Sequence, residues 1–333
     1  MIEPAKRKIV FVIGAGASSD FGFPTGPELA ISIRNRIDAE FQESFGRSSD
    51  SPLQRAFEAS GDEGERAKAA RVLRSGLGPS QSIDQFLFLR RTNKVVKELG
   101  MIALAEVILE AERLSQLSKF DVEDFEKSVA AQRATQNGWP VVLMDLLANE
   151  KQPHELDQIL FQDIAFLIFN YDRCVEQLLF HHLRMRHDIP DDRSLEIVRS
   201  IPMLHIYGVL GDPFRGPVRF GASEVELGSV AKEIQTYHED FTDSARQRAI
   251  DDLMRDAEKI CFLGFGFLPA NFVRLFPNND VGRGQLWGTA RGCEWSQSYQ
   301  LAKATEGSVF EDCNPAQFLR THGEALLTAP WFA

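Results

Sequence analysis

Cysteine is scarce in this sequence, and the few copies are far apart. The 333 residues include four cysteines, and no two of them form a Cys-x-x-Cys pair. Structural zinc modules depend on such pairs, so we expect no bound metal. Cys174 and Cys261 lie in apolar stretches, which is typical of cysteines that pack as small hydrophobic side chains.

Positive charge is also scarce. The chain has 37 lysines and arginines against 48 aspartates and glutamates, a formal net charge of -11. Unaided binding to nucleic acid needs clustered positive charge, so we expect no direct nucleic-acid partner. One cluster, formed by Arg90, Arg91, Lys94 and Lys97, has helical spacing, and we interpret it as the solvated face of a helix.

Long apolar runs are missing as well. No window approaches the roughly 20 apolar residues that cross a membrane. The opening MIEPAKRKIV lacks the apolar run of a signal peptide. We therefore expect a cytoplasmic protein without a membrane partner. With 44% hydrophobic and 26% charged residues, the composition is typical of a globular protein with a substantial core.

The apolar segments that are present follow an α/β pattern. KIVFVI near the N-terminus is a continuous apolar run, typical of a strand buried on both faces of a parallel sheet. Glycines and then a helical pattern, TGPELAISIRNRI, come directly after it. Further strands are predicted at Asp163–Asn170, Met203–Gly211 and Lys259–Phe267, with a fifth at GQLWGT. The tail from Trp295 is predicted to be helical, with a turn near EDCNP.

A long block of helical patterns separates the first strand from the others. From Glu40 to Asp157 the sequence shows amphipathic helices, such as SIDQFLFLRRTNKVVKEL, and no convincing buried strand. We therefore predict an α/β fold with a Rossmann-like parallel sheet and a large helical insertion. The sheet domain is assigned to residues 1–39 and 160–333, and the insertion to residues 40–159.

The turn after the first predicted strand is rich in glycine. Gly14 and Gly16 suit a turn whose backbone amides bind the diphosphate of a dinucleotide, and Ser18 adds a hydroxyl. Ser19 stands where the dehydrogenase fingerprint has its third glycine, and no second strand ending in an acidic residue follows about 20 residues later. The turn favours nucleotide binding over an ordinary dehydrogenase; a tight turn without a ligand is the alternative.

Polar residues and glycines also follow two other predicted strands. Asn170 and Asp172 come directly after the second strand, although Asp172 alternatively caps the next helix. Gly264 and Gly266 end the fourth strand, where a missing side chain allows a ribose or adenine to approach. Because ligands of open α/β sheets bind beyond the carboxyl ends of the strands, these residues predict one shared crevice.

His205 and Tyr207 lie near the end of the third predicted strand. Residues two apart in a strand point to the same face, so both side chains are predicted to face the crevice. The alternative is a histidine whose hydrogen bonds are satisfied at a sheet edge.

Four motifs occur in the order of a known family. GAGASSDFGFP, FNYD, HIYGVLG and FLGFGF resemble the sirtuin-like domains of bacteria, and most closely the sirtuin-like NAD hydrolases of anti-phage defence systems. The segment SIDQFL around Asp84 is also similar to that group. The matching motifs cover Ile9–Pro24 and Ile164–Phe267, and the helical block between them is only loosely covered.

The resemblance implies roles for individual residues. The residues implied to bind NAD, as the substrate, are Gly14, Ala15, Gly16, Ser18, Gly22, Pro24, Gly264 and Gly266. The residues implied in catalysis are Asn170, Asp172, His205 and Tyr207. Asn170 would position the nicotinamide end or the attacking water, Asp172 would orient the ribose, and His205 would be the general base.

The chain departs from the protein deacylases of the family. Those enzymes follow their Gly-x-Pro motif with Asp-Phe-Arg, whereas Pro24 is followed here by Thr25, Gly26 and Pro27. They also carry a four-cysteine zinc module, which this chain cannot build. Both differences argue against a deacylase.

A third departure concerns the catalytic base. The family's usual base is a histidine immediately before a glycine, but Tyr207 precedes Gly208 here. We expect His205, two residues earlier on the same strand face, to enter the pocket in its place.

The resemblance implies hydrolysis of NAD+ to nicotinamide and ADP-ribose in a triggered abortive-infection response. Unregulated hydrolysis would kill the cell, so we expect a regulatory or sensor subunit encoded nearby, such as an Argonaute-type protein, a HerA-type ATPase or a nucleotide-binding HAM-type protein. Homo-oligomerisation is another possible switch, and the helical block is the expected regulatory surface. Two alternatives stay open: a non-catalytic subunit that senses NAD or ADP-ribose, and a protein deacylase.

Overall fold

The computed structural model describes residues 9–43, 51–59, 62–78, 82–120, 125–148, 161–235, 244–255, 257–277, 280–281 and 284–328. These residues build a sheet of six parallel strands in the order β3-β2-β1-β4-β5-β6. The strands are β1 (Ile9–Ile13), β2 (Ile164–Ile168), β3 (Met203–His205), β4 (Lys259–Leu263), β5 (Gln285–Thr289) and β6 (Val309–Glu311). The predicted α/β fold with a Rossmann-like parallel sheet is confirmed.

The central strands form because their apolar side chains are covered on both faces. Every residue of β1, β2 and β4 is buried. Side chains of β1 alternate: Val10 and Val12 join one hydrophobic core, whereas Phe11 joins the core on the opposite face. There Phe11 stacks on Phe166 of β2, with ring centroids 5.5 Å apart. This double burial fixes the register and sets all strand ends along one edge.

Helices cover both faces of the sheet. They are α1 (Gly26–Glu43), α2 (Pro52–Glu58), α3 (Glu63–Gly76), α4 (Ile83–Phe88), α5 (Lys94–Leu114), α6 (Phe125–Thr135), α7 (Trp139–Ala148), α8 (Cys174–His187), α9 (Asp191–Ser200), α10 (Leu227–Val230), α11 (Ser244–Arg255), α12 (Pro269–Leu275), α13 (Gln297–Lys303) and α14 (Pro315–Leu327). Helices α1 and α5 lie on the Val10 face, and α8 and α14 lie on the Phe11 face. None of the helices within the described ranges is long and apolar enough to cross a membrane.

The block between α1 and β2 is helical wherever the structure describes it. Helices α2 to α7 lie there, and no strand occurs among its described residues. The predicted helix SIDQFLFLRRTNKVVKEL is in fact two helices, α4 and α5. The break comes at Asn93, whose side chain accepts a hydrogen bond from Val96 N and so caps α5. Arg90 and Arg91 therefore lie in a turn, whereas Lys94 and Lys97 lie in α5, so the four residues do not form one helix face.

The C-terminal tail contains a strand that its sequence pattern does not reveal. The tail is predicted to be helical from Trp295, and α13 and α14 confirm two helices there. Between them, Val309–Glu311 forms the edge strand β6 beside β5. Three half-buried residues are too few to show a strand pattern in the sequence.

Candidate functional site

A cleft of about 820 Å³ lies at the carboxyl ends of the strands. Its size is within the usual range for ligand pockets, roughly 300–1,000 Å³. Its walls come from the segments after all six strands and from the starts of α1 and α4. The predicted site residues that line it are Gly14, Ala15, Gly16, Pro24, Asn170, Asp172, Tyr207, Gly264 and Gly266. Ser18, Gly22 and His205 do not line it.

Gly14 and Gly16 let the loop after β1 touch the loop after β4. Gly16 N donates to Gly264 O at 3.0 Å. A Cβ on Gly14 would lie 2.5 Å from Gly264 O and 2.6 Å from Phe265 Cα. Gly264 itself has a φ of +60°, and a Cβ on it would lie 2.0 Å from Ala17 N. We expected these glycines to leave space for a ligand, but their missing side chains instead allow the two loops to pack closely against each other.

Gly266 and Gly22 have different surroundings from those packed glycines. No atom lies within 4 Å of a Cβ built on Gly266, which is exposed and lines the cleft. Gly266 is therefore the glycine whose missing side chain leaves space in the cleft itself. Gly22 has a φ of +90° and ends the short 3₁₀ helix Ser19–Phe21, so its role is in the turn.

Asn170, Ser18 and Asp172 form a hydrogen-bonded chain at the base of the cleft. Asn170 Nδ2 donates to Gly14 O at 3.1 Å and to Ser18 Oγ at 2.9 Å. Ser18 Oγ donates in turn to Asp172 Oδ1 at 3.0 Å. Ser18, which is itself buried, therefore connects the two side chains that line the cleft.

The side-chain oxygen of Asn170 is left without a partner. Asn170 Oδ1 is buried and has no hydrogen-bond partner among the described residues. A buried acceptor without a donor costs roughly 1–3 kcal/mol, so native proteins rarely leave one unpaired without a functional reason. Three other described residues also have such an atom, but Asn170 is the one of the four that lines the cleft, where a ligand or an ordered water can supply the donor.

Asp172 both lines the cleft and supports the start of α8. Its Oδ1 also accepts from Cys174 N, the first residue of that helix, at 3.2 Å. The N-cap of α8 is Arg173 and not Asp172, so Asp172 supports the helix start from one residue earlier while it also lines the cleft. Burial raises the pKa of Asp172, against the opposing effects of its hydrogen bonds from Cys174 and Ser18 and of nearby His205. A buried carboxyl with a raised pKa in a cleft is typical of functional sites.

His205 lies behind the cleft and does not enter it. Its side chain is 8% exposed, with Nε2 2.8 Å from Glu176 Oε1 and Nδ1 3.3 Å from Asn170 O. The expectation that His205 and Tyr207 share one face is wrong, because β3 ends at His205. There the chain turns: Gly208 N donates back to His205 O at 3.3 Å, and Gly208 has a φ of +78°.

Tyr207 occupies the cleft position that was expected for His205. Its hydroxyl donates to Asn271 Oδ1 at 2.5 Å, and its ring packs edge-on against Phe169. The neighbouring Tyr171 donates its hydroxyl to Asp84 Oδ1 at 2.5 Å. Asp84 lies in α4, so the helical block supplies one wall of the cleft. The segment around Asp84 that carries part of the resemblance therefore lies at the site.

The charges that line the cleft are mostly negative. The lining carboxylates are Asp20, Glu28, Asp84 and Asp172. Among the described lining residues, Arg291 alone is basic. It follows β5 and was missed, although the segment after a predicted strand is where ligands bind in this type of sheet. Asn314, which caps α14, was missed because β6 itself was not predicted.

A buried ion pair joins the helical block to the base of the cleft. Arg173, next to Asp172, donates from Nε to Glu112 Oε1 at 2.9 Å and from Nη2 to Glu112 Oε2 at 2.5 Å. Both side chains are 0% exposed, and Glu112 lies in α5. Gly221 N also donates to Glu112 Oε2, at 3.2 Å. Such two-point pairing holds both partners in a fixed orientation, so α5 and the loop after β2 are rigidly connected.

No protein-family model matches the chain, and no curated protein matches it. The described residues also contain no group of three or more His, Cys, Asp or Glu side chains that could hold a metal ion.

Proposed function

We propose that the cleft binds NAD+ and hydrolyses its nicotinamide–ribose bond, giving nicotinamide and ADP-ribose. The observation that carries this proposal is the unpartnered Asn170 Oδ1 at the base of the cleft. The carboxamide of nicotinamide, a ribose hydroxyl and the attacking water each offer the N–H or O–H donor that this oxygen needs.

The motif resemblance supports the same function. Each of the four sirtuin-like motifs contributes residues to the cleft wall, from Gly14 in the first to Gly266 in the last. The cleft also lies where nucleotides bind in Rossmann-like sheets. In this proposal the protein is a triggered abortive-infection effector, with a partner subunit or self-association as its switch.

The lining side chains suit a ligand with separated charges. NAD+ carries a cationic nicotinamide ring and an anionic diphosphate. Asp84 and Asp172, next to the aromatic rings at the β2 end, favour the cationic end, and Arg291 at the β5 end favours the phosphates. The loop Gly14–Gly16 lines the cleft between these two ends, and we assign the diphosphate to this part of the wall.

Asp172 is the group that we assign to the chemical step. As the bond between C1′ and nicotinamide breaks, its electron pair leaves with the nicotinamide, and the ribose acquires cationic character. A nearby carboxylate stabilises such charge, as in glycoside hydrolysis. Water then bonds to C1′ and loses a proton, which Asp172 accepts. Asn170 holds the nicotinamide end or the water through Oδ1.

A nicotinamide-release assay tests the proposal. We expect NAD+ alone to be a substrate and an acylated peptide to be unnecessary. Asp172→Asn removes the proton acceptor while keeping its shape, so turnover should fall by about 10²–10⁴-fold, the usual contribution of acid–base catalysis. Turnover that depends on the acylated peptide would identify a deacylase instead.

A specific observation favours a second candidate, a non-catalytic subunit that senses NAD or ADP-ribose. No histidine occurs among the described residues that line the cleft, and Tyr207 takes the position of the family's usual base. This candidate predicts measurable binding of NAD+ or ADP-ribose by calorimetry with no release of nicotinamide, even with the partner subunit present.

A further inference from the structure

The imidazole of His205 bridges two hydrogen-bond acceptors. Nδ1 faces the backbone oxygen of Asn170 at 3.3 Å, and Nε2 faces Glu176 Oε1 at 2.8 Å. A carbonyl oxygen and an ionised carboxylate both accept hydrogen bonds, so this arrangement suits a protonated imidazolium, in which both ring nitrogens donate. The ring thus connects the end of β2 to Glu176 in α8.

We propose that His205 is a positioning residue: held by Glu176, it donates from Nδ1 to the Asn170 carbonyl and so fixes Asn170 in the cleft. This inference rests on the proposed function, in which Asn170 contacts NAD+. It replaces the role of general base expected from the sequence, because His205 does not line the cleft. With the backbone of Asn170 held on one side, its Nδ2 bonds to Gly14 O and Ser18 Oγ hold the side chain in one orientation and leave Oδ1 available to the ligand.

The charges around the ring favour its protonated state. Burial alone would lower the pKa of His205, but the Glu176 carboxylate, its hydrogen bond, the Asn170 carbonyl and the more distant Asp172 carboxylate raise it above 6.5. Burial alone would raise the pKa of Glu176, but His205 and the nearby Arg173 lower it below 4.5. These groups come from α8, from the end of β2 and from the loop between them.

The direction of these shifts sets a pH window. The stability that protonated His205 contributes is complete below pH 6.5 and is lost as the pH rises through its raised pKa. The stability that ionised Glu176 contributes is present above pH 4.5 and is lost as the pH falls through its lowered pKa. The pair therefore stabilises the fold most between pH 4.5 and 6.5.

Two substitutions of His205 each keep one of its two hydrogen bonds and remove the other. His205→Asn places an amide where Nδ1 stands and keeps a donor for Asn170 O, but it does not reach Glu176. His205→Gln places its amide where Nε2 stands and keeps a donor for Glu176, but it loses Asn170 O. We expect His205→Gln to lose about 10²-fold in turnover, the cost of a misplaced site group, and His205→Asn to retain clearly more activity.

A third variant and a control complete the comparison. Glu176→Gln removes the charge but its amide can donate to Nε2 of a neutral ring whose Nδ1 still donates to Asn170 O. This variant should keep most of the turnover and lose the pH dependence of stability described above. His322→Gln is the control, because His322 Nε2 pairs with Glu311 Oε1 at 2.7 Å and does not line the cleft. It should leave turnover unchanged.

Wild-type turnover in His205→Gln, or equal losses in the Gln and Asn variants, would overturn the positioning role. Nitrogen NMR of the histidine rings tests the arrangement without NAD+. The His205 signal, assigned by its loss in His205→Gln, should show both nitrogens protonated with a titration midpoint above 6.5. A neutral His205 ring at pH 6.5 contradicts the inference. An inactive wild type with a protonated His205 would instead count against the proposed NAD+ hydrolysis.

Discussion

Asn170 and Ser18 are hydrogen-bonded at the base of the cleft, with Asn170 Nδ2 donating to Ser18 Oγ at 2.9 Å. The two residues are 152 positions apart in the sequence, one after β1 and one after β2. Their contact exists because these neighbouring parallel strands end side by side. The hydroxyl of Ser18 in turn donates a hydrogen bond to Asp172. One buried serine therefore holds in place both polar side chains that we assign to the reaction.

We predict that Ser18→Ala lowers both turnover and stability. Asn170 and Asp172 each lose one hydrogen-bond partner, and a buried group left unsatisfied costs roughly 1–3 kcal/mol. Urea unfolding measures the stability, and nicotinamide release measures the turnover. Ser308→Ala is the control, because its hydroxyl bonds to Lys303 O at an exposed position. Equal behaviour of the two alanine variants would show that the buried chain does not matter.

Replacing either of two glycines by valine should distinguish a glycine needed for stability from a glycine needed for NAD+ binding. In Gly14→Val the new Cβ meets the backbone of Gly264 and Phe265, so we expect a loss of about 1–3 kcal/mol in the free energy of unfolding. In Gly266→Val the side chain enters open cleft space. The free energy of unfolding of this variant should stay within about 0.5 kcal/mol of the wild-type value. The Kd for NAD+ should rise about tenfold or more, which corresponds to a loss of ~1.4 kcal/mol in binding free energy.

Calorimetric titration of NAD+ measures that affinity, and the free energy of unfolding comes from urea denaturation of both variants. An unchanged Kd in Gly266→Val would mean that the ligand does not use this part of the cleft. A fully stable Gly14→Val would contradict the close packing of the loops after β1 and β4.

We predict that Arg291 supplies the cleft's attraction for phosphate. Arg291→Gln should weaken NAD+ binding because it removes the attraction between the arginine and the diphosphate. The Kd should also depend less on salt, because dissolved ions screen that attraction in the wild type and the variant lacks it. Arg255→Gln is the control, since Arg255 is 67% exposed and pairs with Asp252 on α11. Titrations at low and high ionic strength distinguish the two variants. Identical salt dependence in wild type and Arg291→Gln would remove Arg291 from the binding site.

The pair of Arg173 and Glu112 should be important for stability. Glu112→Gln leaves the buried guanidinium without its counter-charge, and breaking a buried pair in this way costs roughly 3–5 kcal/mol. Glu196→Gln breaks an exposed pair with Arg193, which should cost less than about 1 kcal/mol. Thermal unfolding of both variants checks the difference, and a Glu112→Gln protein as stable as Glu196→Gln would contradict it.

The strand ends that hold Gly14, Asn170 and Gly264 could be predicted because continuous apolar runs are a strong signal of buried parallel strands. The roles of individual glycines could not. Gly14 and Gly266 look alike in the sequence, and only the contact between the loops after β1 and β4 shows that one packs against backbone and the other faces the cleft.

The orientation of His205 could not be predicted for a similar reason. Alternation of side chains holds only while a strand continues, and β3 ends at His205 in a turn that Gly208 allows. Arg291 was missed because a single arginine after β5 forms no recognisable motif. Asn314 was missed because the three residues of β6 before it are too short a pattern to recognise as a strand.

The most direct test of NAD+ hydrolysis at this cleft is a time course of nicotinamide release by wild-type protein and Asn170→Ala, with the partner subunit present if one is required. We expect release by the wild type and a loss of about 10²-fold or more in Asn170→Ala, with both proteins equally folded by circular dichroism. Release at the wild-type rate by Asn170→Ala would contradict the role of Asn170. A wild-type protein that binds NAD+ but releases no nicotinamide would contradict the proposed hydrolysis.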